Sequence, residues 1–283
     1  MTSRRDFLKT SAVLAGAAVF AGRSRAADDF GGFTVGIQSY TFRNFKLEQA
    51  LKKTQELGLK HAEFYNGHVK PTSTPEQIAG VKKLCAEYDV APVAFGVEAF
   101  TKNHDANKKL FDFAKALGIK YLSADPTPDS FDSLDKLCDE YKIAIAIHPH
   151  RPSGGGKLHR WYSAEVILKA VKDHNPLIGT CLDTGHLIRA AQLGEKLDPV
   201  QQIKLMGPRN FGLHLKDHDN QRKTDVPYGD PTGVLDVPGV LKALKEVKFG
   251  GYISIEYEAH PDDPSPDMKK CVAYVKEVAG KLA

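Results

Sequence analysis

Four short apolar stretches of this chain each close on a side chain that can bind a metal ion. KIAIAIH ends in His148, IGTCLD in Asp183, FGLH in His214 and ISIE in Glu256. Alternation along KIAIAIH puts Ile143, Ile145 and Ile147 on one face and Ala144, Ala146 and His148 on the other, because successive side chains of a strand point to opposite sides. Small residues beneath a terminal polar one mark an inward face, and the same parity turns Asp183, His214 and Glu256 inward. Two imidazoles and two carboxylates converging on one spot form a donor set suited to Mn²⁺, Zn²⁺, Co²⁺ or Fe²⁺ better than to Ca²⁺. Each residue alone has an ordinary alternative, a hydrogen-bonded core histidine or an aspartate capping a helix. Four in register imply a shared site for one divalent metal.

Such convergence needs a scaffold that gathers strand ends. From residue 30 the sequence alternates β-rich runs (33–40, 60–65, 91–98, 120–124, 142–148, 178–183, 210–216 and 252–256) with helical ones (47–57, 74–88, 104–117, 130–141, 163–174, 198–206, 237–247 and 267–281). Thr74-Pro75-Glu76 opens a helix with a cap, a proline and an acid, while Gly58 and Gly118 close two others. No Pro/Gly/Ser linker is long enough to split residues 27–283 into two domains. Strands alternating with helices imply a parallel sheet, and eight such units imply a single α/β (β/α)₈ TIM barrel, whose catalytic groups gather at the C-terminal strand ends. The rival, an open doubly wound sheet, lacks its phosphate-binding glycines after the first strand, since Gly31-Gly32 precedes that strand.

CLDTGH (181–186), GLHLKD (212–217), GGYISIEYE (250–258) and the G-x-x-x-G-x-x-D stretch from Gly229 to Asp236 resemble the sugar phosphate isomerase/epimerase family of xylose isomerase-like TIM barrels. The likeness covers all eight units. It implies a metal held at position 148 and by Asp183, His214 and Glu256, with Mn, Zn or Co as the expected ions and a small carbohydrate as substrate. The family's usual Glu at position 148 is His here, inside IAIHPHRP, and the H-x-H spacing leaves open whether His148 or His150 is the ligand. The family's epimerases use two carboxylates on opposite faces of the sugar, so the substitution argues against that chemistry. What the resemblance still implies is abstraction of an α-proton by Glu256 through an enediolate, with His150 or His186 moving a proton between oxygens. Isomerisation and β-elimination from a keto-sugar or keto-glycoside both fit.

Second-rank candidates surround these residues. Glu63, inward on the second strand, and His68 beyond it are expected to touch substrate or a metal-bound water, or to form a structural ion pair. Lys216 is expected to polarise a substrate oxygen or to be ion-paired, and Glu258 to orient a ligand. Tyr40, Phe42 and Trp161 could stack on a sugar or fill the core. The loop 151–162, with Gly154-Gly155-Gly156, is a candidate lid or a contact in a homo-oligomer.

Residues 1–26 read as an address. Ser3-Arg4-Arg5-Asp6-Phe7-Leu8-Lys9, an apolar run to Gly22 and Ser24-Arg25-Ala26 resemble a twin-arginine signal, a route that exports folded proteins to the periplasm. The apolar run is too short for a stable membrane anchor. The formal net charge is +4, and Arg4, Arg5, Lys9, Arg23 and Arg25 against Asp6 account for all of it. The remainder has no basic excess to attract nucleic acid, which argues against an endonuclease-like member of the superfamily. Export favours unphosphorylated sugars and glycosides. Four scattered cysteines show no metal-binding spacing and demand no disulfide. A metal-dependent sugar isomerase, epimerase or lyase is therefore expected, with a non-catalytic periplasmic sugar-binding protein as the alternative.

Overall fold

The computed structural model describes residues 30–152 and 156–282. The signal segment, and Gly154 and Gly155 of the candidate lid, lie outside the described residues. The barrel strands are β1 (Thr34–Gln38), β2 (His61–Phe64), β3 (Ala91–Phe100), β4 (Tyr121–Pro126), β5 (Ala144–Ile147), β6 (Ile178–Asp183), β7 (Asn210–Leu215) and β8 (Tyr252–Ile255). Each pairs in parallel with the next, and β8 closes on β1. Around them run α1 (Leu47–Glu56), α2 (Pro75–Glu87), α3 (His104–Leu117), α4 (Phe131–Tyr141), α5 (Ala164–Val171), α6 (Thr184–Arg189), α7 (Pro199–Met206), α8 (Val237–Glu246) and α9 (Ser265–Lys281). The expected TIM barrel is thus the observed fold.

Two apolar layers follow from strand alternation. Outward residues such as Ile145, Ile147, Leu213, Leu215, Ile253 and Ile255 pack beneath the helices. Inward, Ala94, Ala146 and Cys181 surround the ring of Tyr252, with Tyr121 and Phe211 packed against it. Above that ring the interior turns polar, and register sets the heights. Asp183 lies opposite His214, which lies opposite Ser254. Glu63 is level with Ala94, Tyr121 and Ala144 across β3, β4 and β5.

Two elements depart from the regular alternation. Helix α6 begins directly at the end of β6, capped by Asp183, whose Oδ1 accepts the His186 amide at 2.7 Å. An antiparallel hairpin, Asp217–Asp219 with Thr224–Val226, follows β7. Asp217 ties the next loop to this strand end by accepting the amides of Val234 at 2.9 Å and Leu235 at 3.0 Å. Both elements follow directly on C-terminal strand ends.

Candidate metal centre

His148, just past β5, Asp183 at the end of β6, His214 in β7 and Glu256 just past β8 offer four ligand atoms within 4.8 Å of one another. Nε2 of His148 lies 3.0 Å from Nδ1 of His214 and 3.4 Å from Oδ2 of Asp183. Nδ1 of His214 is in turn 3.1 Å from Oε2 of Glu256. All four residues are buried. Asp183 divides its oxygens between two tasks: Oδ1 caps α6, and Oδ2 is buried without an aligned hydrogen bond, although Lys216 Nζ stands 3.3 Å away. An orphaned carboxylate oxygen and two ring nitrogens facing one point fit a divalent cation of borderline softness. His150 is not part of this foursome.

Other groupings within ligand distance are already committed. Glu63, Cys181 and His214 form one, but Glu63 accepts hydrogen bonds from Ser123, from Ser254 Oγ at 2.8 Å and from His214 Nε2 at 2.7 Å. Asp125, His150 and His159 form another, yet Arg160 clamps both oxygens of Asp125, at 3.1 and 3.0 Å. His148, His150 and His186 meet as edge-on or tilted rings 4.8 to 5.9 Å apart.

Lys216 supplies the cation of the cluster. Its buried ammonium lies 3.0 Å from Glu256 Oε2 and 2.5 Å from Glu258 Oε1, in addition to Asp183. Gly185 lets it lie there, since a Cβ at that position would stand 2.7 Å from Lys216 Cδ. Burial alone would neutralise these groups, but their mutual attraction prevails. Against burial, His186, Lys216 and His148 hold Asp183 well below the usual carboxylate range, and Lys216 with His214 draws Glu256 down to about 2. Burial likewise opposes the charge on Lys216, yet Asp183, Glu256 and Glu258 hold its pKa well above the ordinary value. Burial, with His148 and His159, lowers His150 to about 3, and burial holds His186 far down. For His214 the balance runs the other way: against burial, Cys181, Glu63 and Glu256 hold its pKa well above the ordinary imidazole value. At neutral pH two carboxylates and a lysine are therefore charged beside the neutral rings of His150 and His186.

A cavity of about 300 Å³ opens over this cluster. His150, His186, Tyr40 and Glu258 line it, with Tyr40 37% exposed and edge-on to Tyr65 at 5.3 Å. Other expected ligand contacts are placed elsewhere. Glu63 is fully buried beneath His214 and orients that ring, so it reaches no substrate. His68 donates from Nε2 to the Phe45 carbonyl at 2.9 Å and braces its own loop. Phe42 is core. Trp161 is buried, edge-on to Phe131, its indole N–H on the Pro126 carbonyl at 2.9 Å, and so offers no face to a sugar. The structure adds Tyr65, Asn66 and Arg151 to the cavity wall and Arg189 behind it. Tyr65 shares Glu63's strand parity and was within reach of that argument.

This barrel, with its buried histidine and carboxylate cluster at the C-terminal strand ends, has the architecture of metal-dependent sugar-converting enzymes. The chain belongs to the xylose isomerase-like TIM barrel family, which it matches over residues 51–278. Residues 1–21 match the twin-arginine translocation signal, which marks the protein for export. An inosose isomerase of Bacillus velezensis is 21% identical over 257 residues, covering 77% of this chain and 86% of that protein. A crystal structure of an uncharacterized protein from Parabacteroides distasonis is 28% identical with a TM-score of 0.67, covering 90% of this chain and 100% of that one. The 3-keto-D-glucoside 4-epimerase of E. coli shares the fold at 14% identity and a TM-score of 0.66, over 87% and 99% of the two chains. No helix among the described residues is long and apolar enough to cross a membrane.

Proposed function

We propose that this protein is an exported, divalent-metal-dependent enzyme that removes the proton next to the carbonyl of an unphosphorylated sugar, keto-sugar or glycoside. The observation that carries the reading is the convergence of His148, Asp183, His214 and Glu256 beneath an open cavity. These four residues would hold the metal, which when bound would draw electron density from the substrate carbonyl and stabilise the charge developing on its oxygen. Glu256, kept ionised by Lys216, accepts the proton from carbon. His150, neutral and beside the cavity, carries a proton between substrate oxygens or onto a leaving oxygen. Tyr40 offers an exposed ring against which a sugar face can pack.

Isomerisation and β-elimination are both served by one base, whereas epimerisation needs a proton carrier on each face of the sugar. His148 stands where a second carboxylate would act, and this favours the one-base reactions. Names among the relatives, an inosose isomerase and a 3-keto-D-glucoside epimerase, make cyclic ketoses and 3-keto-glucosides the first compounds to try. The test is proton NMR in D₂O with Mn²⁺- or Zn²⁺-loaded protein lacking residues 1–26. Deuterium entering the carbon next to the carbonyl, and its loss in Glu256→Gln, is the expected result. A protein that binds these sugars and about one metal, yet exchanges no proton, is a binding protein and not this enzyme.

A further inference from the structure

We infer that Arg189 locks His186 as a neutral imidazole with its single proton on Nε2, which makes His186 a hydrogen-bond donor to substrate and withholds it from the metal. Helix α6 sets the two residues three apart on one face. Arg189 is buried, and its Nη1 lies 3.2 Å from His186 Nδ1. A guanidinium carries only N–H groups and keeps its charge at every pH at which a protein is folded. The ring nitrogen facing it must therefore be the acceptor, and the remaining proton of the neutral ring sits on Nε2.

Arg189 is itself held by two further residues. Nη2 donates to Asp225 Oδ1 at 2.6 Å, and Nε lies 3.2 Å from His218 Nδ1. Asp225 is anchored further, accepting the Glu258 amide on Oδ2 at 2.9 Å. On the other side, the His186 amide is fixed to Asp183 Oδ1. The ring is thus pinned at its backbone and at Nδ1, while Nε2 stands 3.7 Å from Asp183 Oδ2 on the wall of the cavity.

Three consequences follow for the same site. A cation at Nε2 would require an imidazolate, so His186 stays out of the ligand set although it lies within ligand distance of His148 and His150. A second proton on Nδ1 would face the N–H of Arg189, so His186 is no base. Proton carriage then falls to His150 alone, and His186 donates its Nε2–H to a carbonyl or hydroxyl oxygen. Only the identity of that oxygen as a sugar's rests on the proposed function; the tautomer does not.

The experiment is side-chain ¹⁵N NMR of histidine-labelled protein lacking residues 1–26, in chelator and after loading with diamagnetic Zn²⁺, with His186 assigned through His186→Asn. The expected spectrum shows protonated Nε2 and bare Nδ1 in both states. Arg189→Met should mix the tautomers, and Arg189→Lys, which keeps a donor, should restore one. If the methionine variant fails to fold, Arg189→Leu, which likewise presents no hydrogen-bonding group to the ring, carries the same expectation of mixing. A protonated Nδ1 in the parent, or an unchanged single tautomer in the folded methionine or leucine variant, overturns the inference. Absence of sugar chemistry with this tautomer intact would overturn the proposed function and leave the inference standing.

Discussion

On the arc of the mouth from β6 to β8 nearly every functional side chain is gripped by another. Asp183 caps a helix, His214 rests on Glu63, and Lys216 bridges Asp183, Glu256 and Glu258. The arc from β4 to β5 is built otherwise. His148, His150 and His159 meet ring against ring at 4.8 Å, and Nδ1 of His148 is buried without a hydrogen-bond partner. One side, which carries the base Glu256, holds its geometry through ion pairs and register, and the other does so largely through ring packing. The contrast separates positioning by charge from positioning by ring contact.

The sharpest way to break the contrast is to remove one ligand from each arc. Four-ligand zinc sites carry about 10–16 kcal/mol, so His214→Ala should weaken binding by several hundredfold, measured by competition with a chelating dye. His148→Ala should cost less, and equal losses would erase the distinction. Lys216→Met removes the ammonium that bridges Asp183, Glu256 and Glu258. In chelator it should lower stability by about 3 kcal/mol in urea unfolding, with most of that recovered on metal loading. Glu63→Gln leaves every ligand in place but loosens His214, and should reduce metal affinity about ten- to a hundredfold. His148→Glu trades nitrogen for oxygen on the unbraced arc. Affinity should stay within about tenfold while preference moves from Zn²⁺ toward Mn²⁺, as read by competitive loading and mass spectrometry. Least of all, Trp161→Phe should lose the bond to Pro126 at about 1 kcal/mol of stability, with metal content unchanged.

The same two arcs show what could be read from the chain alone. Strand parity is local, so the inward turn of His148, Asp183, His214 and Glu256 was legible, as were the barrel strands to within a few residues. Depth is not local. Glu63 has the right parity, yet register through β3 and β4 sets it level with Ala144, well below His148, where it meets His214 from 151 residues away. Helix α6 and the hairpin after β7 are too short and polar to carry a hydrophobic period, and with them the pairing of Arg189 with Asp225 stayed hidden. Trp161 reads as a sugar platform only until its N–H finds a carbonyl on another strand. Asp183 caps α6 with one oxygen and leaves the other facing the cluster, because a carboxylate has two.

The four cysteines are all free and buried, and burial pushes the thiols of Cys85 up to about 11 and those of Cys138 and Cys271 to about 12. So little thiolate exists at neutral pH that neither oxidant nor partner thiol finds a nucleophile. The barrel therefore has the same covalent structure on either side of the membrane across which it is exported. Folding can finish among reductants, passage outward changes no bond within the barrel, and protein made in a reducing cytosol without its leader is chemically the molecule that works outside.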